Sequence, residues 1–200
     1  YKSLTFTGGH TLSMNVYGWR YTGKNLTFDG ANFNINSDST SSVANNGEVG
    51  RWFTMVLGGA LTAQNGAKIV FTFDSDSGTN CAIYAGSGGV TINVKNQSSF
   101  EIIGKNTSGV AGQGIQLDST ANTGIFVEED SSFLIDGTNR GYVNSPTIYV
   151  NDSTFTVRNC TANGSNGSDF TAIDSVVTFE NNNGHGLSTD NLIVENSKIY

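Results

Sequence analysis

Apolar and polar positions alternate in short runs along this chain, and over its second half the runs recur at a fixed interval. Asp130, Asp152, Asp174 and Asn196 stand at three successive steps of 22, and each is followed by a serine, Ser131, Ser153, Ser175 or Ser197. Three positions past the register come Phe133, Phe155, Val177 and Ile199; five past it, Ile135, Val157 and Phe179; seven past it, Gly137, Asn159 and Asn181. Side chains two apart on an extended chain share a face, so each unit predicts a half-buried strand. The strand closes on Gly or Asn, the residues that best tolerate a left-handed backbone.

A second short strand is predicted ahead of the register, from Phe126, Ile148, Phe170 and Leu192 four positions before it and Val150, Ala172 and Val194 two before it. Glu128 breaks the latter column, and a one-residue slip to Ile125 and Val127 repairs it. Upstream, Gln97, Phe100, Ile102 and Gly104 fit the same offsets after a step of 33, which implies an insertion half a coil long. Near the start, LTFTG at Leu4 returns as LTFDG at Leu26.

The runs are β-branched and aromatic with Asn and Gly between them, which opposes a helical repeat, and the leucine pattern of a leucine-rich repeat is missing. The period fits one turn of a β-solenoid with coils stacked roughly 4.8 Å apart. The sequence therefore predicts an all-β fold, a right-handed parallel β-helix with coils of about 22 residues and inserted loops, forming a single domain over 1–200 or a segment of a longer one. Residues 37–68 break the pattern and are expected to form a loop insertion, serving either as a binding surface or as a cover for one end of the core. The last repeat stops in mid-strand at Ile199 and Tyr200, so the expectation is that further coils follow or that another chain stacks end to end there.

Composition narrows the partners. Ten Lys plus Arg against 17 Asp plus Glu give a net charge of −7, a poor match for nucleic acid or an anionic membrane. No run of 18 apolar residues is present, so no membrane span is expected. Cys81 and Cys160 fit no metal-ligand spacing; several coils separate them, which predicts two unbonded thiols. With only His10 and His185 available, no metal site and no cofactor are expected.

Residues 91–200, with rungs such as VVTFENN at 176–182, resemble the pectin-lyase-like β-helix superfamily, and in texture the bacterial surface adhesins of that architecture. Within them NNNGHGLS, 181–188, is similar to the Gly-His-Gly-(Ile/Leu)-Ser segment of polygalacturonase-type glycoside hydrolases. That resemblance implies His185 beside carboxylates that protonate a leaving oxygen and activate water, with Asp169 in the paired-aspartate segment. The first member of the pair is Ser168 here, and the step from Asp169 to His185 is 16, short of the 22 that would stack them on neighbouring coils. Asp169 and His185 are thus catalytic candidates of an alternative reading only. A lyase would need calcium-binding acids and a basic residue; FDSDSG (Asp74, Asp76) and EED (Glu128, Glu129, Asp130) match no calcium-loop pattern.

Tyr17, Trp19 and Tyr21 alternate in VYGWRY and so share one strand face. Facing outward, and joined by Trp52, they form a platform for a sugar ring; facing inward, they close an end of the core. The leading expectation is a non-enzymatic segment of a long secreted or cell-surface β-helical protein, an extracellular stalk or adhesin that binds glycans or a host-surface ligand. The alternatives are a polygalacturonase-like hydrolase or polysaccharide lyase, and a structural filament subunit.

Overall fold

The computed structural model describes residues 2–15, 19–37, 51–55, 59–75, 77, 79–85, 89–106, 109–117, 123–144, 146–167 and 169–200. Strands are the only regular elements among them, and they form three all-parallel sheets of eight, eight and five strands. The first sheet runs, in stacking order, through Leu4–Thr7, Asn25–Asp29, Gly59–Gln64, Val90–Val94, Gly124–Glu128, Thr147–Asn151, Asp169–Ile173 and Asn191–Glu195. The second runs through Thr11–Asn15, Asn32–Asn36, Lys68–Phe73, Ser99–Gly104, Ser132–Asp136, Thr154–Arg158, Val176–Glu180 and Lys198–Ile199. The third holds Trp19–Tyr21, Arg51–Met55, Cys81–Ala85, Gln113–Leu117 and Tyr142–Val143. Each strand pairs with its counterpart one coil away, which is the wiring of a parallel β-helix.

The core lies between the three sheets. Leu26, Leu61, Ile92, Ile125, Ile148 and Phe170 form one fully buried column of the first sheet. Phe33, Ile69, Phe100, Phe133, Phe155 and Val177 form the matching column of the second. Rings in this column lie face to face, with centroids 5.1 Å apart for Phe100 and Phe133 and 5.3 Å apart for Phe133 and Phe155. The predicted ladder from Phe133 to Val177 is therefore buried, and Ile199 at its end is half-buried.

The coil length is less uniform than the repeat suggests. Along the first-sheet column from Leu4 to Leu192, the successive steps in sequence are 22, 35, 31, 33, 23, 22 and 22. The longer central coils accommodate the third sheet and its connections. The loop expected over 37–68 is corrected accordingly. Arg51–Met55 and Gly59–Gln64 are strands, and Phe53, Met55, Leu61 and Ala63 are core residues. Residues 38–50 lie outside the described part.

Corners between the first and second sheets explain the register. Asp152, Asp174 and Asn196 turn the chain alone, at φ of 47°, 48° and 46°. The central coils turn on two consecutive left-handed residues, Asn65–Gly66, Asn96–Gln97 and Glu129–Asp130. The extra corner residue is the physical cause of the one-residue slip: Ile125 and Val127 pair with Ile148 and Val150, while Phe126 faces outward opposite Tyr149. The second turn, through Gly137, Asn159 and Asn181, is left-handed too, as expected.

Inside the corner the serines form a ladder, buried from Ser98 to Ser175 and half-buried at Ser197. The amide of Ser98 donates to Ser131 Oγ at 3.2 Å, Ser131 to Ser153 Oγ at 3.1 Å, Ser153 to Ser175 Oγ at 3.2 Å, and Ser175 to Ser197 Oγ at 2.9 Å. Each hydroxyl thus satisfies a backbone donor of the preceding coil that the sharp turn withdraws from the sheet. Ser153→Ala leaves the buried Ser131 amide unpaired, at an expected cost of about 1–3 kcal/mol. Asp152→Ala, at an exposed side chain, is expected to cost less than about 1 kcal/mol. Urea titration of the two variants checks the order.

Candidate functional site

Of the platform expected from Tyr17, Trp19, Tyr21 and Trp52, the structure places Trp19 and Tyr21, and it turns both toward the core. Trp19 pairs with Phe53, which is fully buried, so the shared face of Trp19 and Tyr21 points into the solenoid. The Trp19 ring lies 5.3 Å from Phe33 and 5.2 Å from Phe53, and Tyr21 is buried with its hydroxyl donating to the Asn25 carbonyl at 2.6 Å. Large rings fill the space that the short third-sheet strands leave there. Tyr17 lies outside the described residues, as does the side chain of Trp52, which belongs to the strand Arg51–Met55.

Asp169 and His185 stack on different partners of the neighbouring coils. Asp169 opens a first-sheet strand, stacks against Asn191, and accepts a hydrogen bond from its amide at 2.7 Å. His185 sits on a different stretch of the coil, stacked against Asn163: its amide donates to Asn163 Oδ1 at 3.2 Å and its carbonyl accepts from the Gly164 amide at 2.8 Å. The glycines around it have packing roles. A Cβ on Gly186 would sit 3.0 Å from Phe179 Cβ, and one on Gly184 would collide with Asn163 Oδ1. Contact with Asn163 on the preceding coil and with Phe179 on the same coil accounts for the Gly-His-Gly sequence, with the imidazole exposed.

Other chemistry-bearing residues are tied to the fold. Cys81 and Cys160 are buried free thiols, in accordance with the expectation. Burial pushes the Cys160 thiol up, against the opposing pull of a contact with Thr138 Oγ1 at 3.4 Å, so the thiolate needed for nucleophilic attack is disfavoured. Among the described residues no group of three or more His, Cys, Asp or Glu is placed to hold a metal ion. An open groove of about 490 Å³ follows the first corner, lined by the amides of Asn65, Asn96 and Gln97 and the carboxylates of Glu129, Asp130 and Asp152. Two of its amides are engaged in coil-to-coil bonding: Asn65 donates to Asp29 at 2.6 Å and accepts from Asn96 at 3.0 Å.

The outer face of the first sheet has a different character. Its central outward row reads Thr5, Thr27, Thr62, Asn93, Phe126, Tyr149, Thr171, Ile193, with no charged side chain. Phe126 and Tyr149 lie side by side in it, half-buried, with ring centroids 6.4 Å apart. Their placement is readable once the slip puts Ile125 and Val127 inward, because the residue between them must then face out.

No protein-family model, no curated protein and no solved structure matches this chain. Its class is defined by its own geometry: an all-β parallel β-helix with three sheets.

Proposed function

We propose that the chain is a non-enzymatic segment of a long secreted or cell-surface protein of the pectin-lyase-like β-helix kind, acting as an extracellular stalk or adhesive surface. The observation that carries this reading is the engagement of corner side chains in stacking. The serines bond coil to coil without a break from Ser98 to Ser197, and Asn106, Asn159 and Asn182 do the same at the second turn. Charged side chains follow the same habit, as where Arg158 lies 2.8 Å from Asp136 on one neighbouring coil and 3.8 Å from Glu180 on the other. Such an arrangement favours a stiff rod.

A hydrolase of this architecture needs carboxylates converging on one glycosidic oxygen. Asp169 stacks against Asn191 and His185 against Asn163, an amide in each case rather than a second carboxylate, which supports the non-enzymatic reading. The chain is expected to release neither reducing ends nor unsaturated products from polygalacturonate or pectin. Turnover that Asp169→Asn or His185→Ala abolishes would overturn the proposal in favour of the enzyme.

A further inference from the structure

We infer that the outer face of the first sheet, centred on Phe126 and Tyr149, is a binding site for a neutral glycan. The inference goes beyond the stalk reading and does not depend on it, since a rod needs no ligand and an enzyme could carry such a face as well.

Three observations converge on this patch. The first is the rings. Phe126 and Tyr149 occupy adjacent coils on the solvent side and together offer an apolar surface roughly two strand spacings, about 10 Å, across. Gly124 leaves room for this, because a Cβ there would stand 2.8 Å from Phe126 Cε2. The Phe126 ring therefore lies down along the sheet and presents a broad side to a ligand. Pyranose rings carry axial C–H groups on a face that is apolar and of similar width, and they dock on aromatic surfaces through it.

Free hydroxyls are the second observation. Further along the same row Asn93 is engaged, donating to Thr62 Oγ1 of the preceding coil at 3.4 Å and to Thr91 Oγ1 on its own strand at 3.3 Å. The Tyr149, Thr147 and Thr171 hydroxyls that border the rings have no protein hydrogen-bond partner among the described residues. They are donors and acceptors available to the equatorial hydroxyls of a sugar docked on the rings.

Charge is the third. The central row is uncharged in a chain of net charge −7; Glu128 and Asp169 stand at opposite strand ends on either side of it, and Lys95, which follows the Val94–Val127 pair, stands beside Glu128. An acidic glycan would gain nothing from the uncharged row and would meet repulsion at its Asp169 end, whereas a neutral one meets none.

Affinity electrophoresis of the chain in native gels cast with xyloglucan, mixed-linkage β-glucan or glucomannan tests the assignment, with polygalacturonate as the acidic comparison. Retardation by at least one neutral polymer and none by polygalacturonate is expected. Tyr149→Thr and Thr171→Asp should each weaken retardation by about tenfold or more, one by removing a ring and the other by adding a charge. Both positions face solvent, and a thermal midpoint unchanged within a few degrees for Thr171→Asp keeps the result separate from misfolding. Migration unaffected by all three neutral polymers, stronger retardation by polygalacturonate, or binding that survives Thr171→Asp in a folded protein would each overturn it. None of these outcomes bears on turnover of pectin, so failure here leaves the non-enzymatic reading standing.

Discussion

Phe155→Ala is expected to lower the stability of the solenoid by about 3–5 kcal/mol, among the largest effects available to a single substitution in this chain. The ring is fully buried and sits where two packing directions meet. Along the column it stacks on Phe133 at 5.3 Å, and across the core it meets Tyr142 edge-on at 6.2 Å and Phe170 edge-on at 5.8 Å. Those neighbours belong to all three sheets, each held by backbone pairing, so the surrounding walls cannot close on the vacated volume. Equilibrium urea unfolding measures the loss, and a cost below that of Ser153→Ala would reject the inside–outside assignment of the second sheet.

The second large effect is expected from Gly141→Ala. An added Cβ would run into the carbonyl oxygen of Gly164 one coil away and into Val157 Cγ1. The backbone cannot retreat easily, because the Gly141 amide donates to the Asn163 carbonyl at 3.2 Å and its own carbonyl accepts from the Ile115 amide at 3.0 Å. Overpacking against a fixed main chain costs about 1–3 kcal/mol, and this position is expected at the upper end. Gly9→Ala, where a Cβ would meet nothing within 4 Å, is the matched comparison and should leave the urea midpoint nearly unchanged.

Much of the fold is legible because a solenoid writes its contacts at constant spacing. Phe133, Phe155 and Val177 recur at a step of 22 in the sequence and are direct partners in the sheet, so reading the period is equivalent to reading the register. Even the irregularity at Glu128 leaves a trace, since only the slip to Ile125 and Val127 keeps the apolar column continuous. The third sheet leaves no such trace. From Trp19 its inward column passes to Phe53, Ile83, Ile115 and Tyr142 at four unequal steps, and its strands are separated by connections of varying length. Trp52 and Phe53 accordingly read as loop in the sequence. The inward turn of Trp19 and Tyr21 is hidden for a related reason: alternation in VYGWRY establishes a common face, but only the partner strand, through Phe53, decides whether that face points to solvent or to core. Phe126 is obscured by its own size, as a large aromatic at an apparent core position looks like core until the corner residues are counted.

The serine ladder also bears on how such a gene can change in length. From Ser131 to Ser197 each bond of this ladder joins a residue to its equivalent 22 positions on, so the cut ends left by removing one such unit are chemically the same as those it had joined. With residues 153–174 deleted, the Ser131 amide meets the hydroxyl of Ser175, and Phe133 meets Val177. Unequal recombination between neighbouring units therefore yields in-register products, longer or shorter by one rung of about 4.8 Å. The central coils, with their longer connections and paired left-handed corners, have no interchangeable neighbour. Reach can drift in that part of the molecule where the units are alike, while the longer central coils are inherited whole.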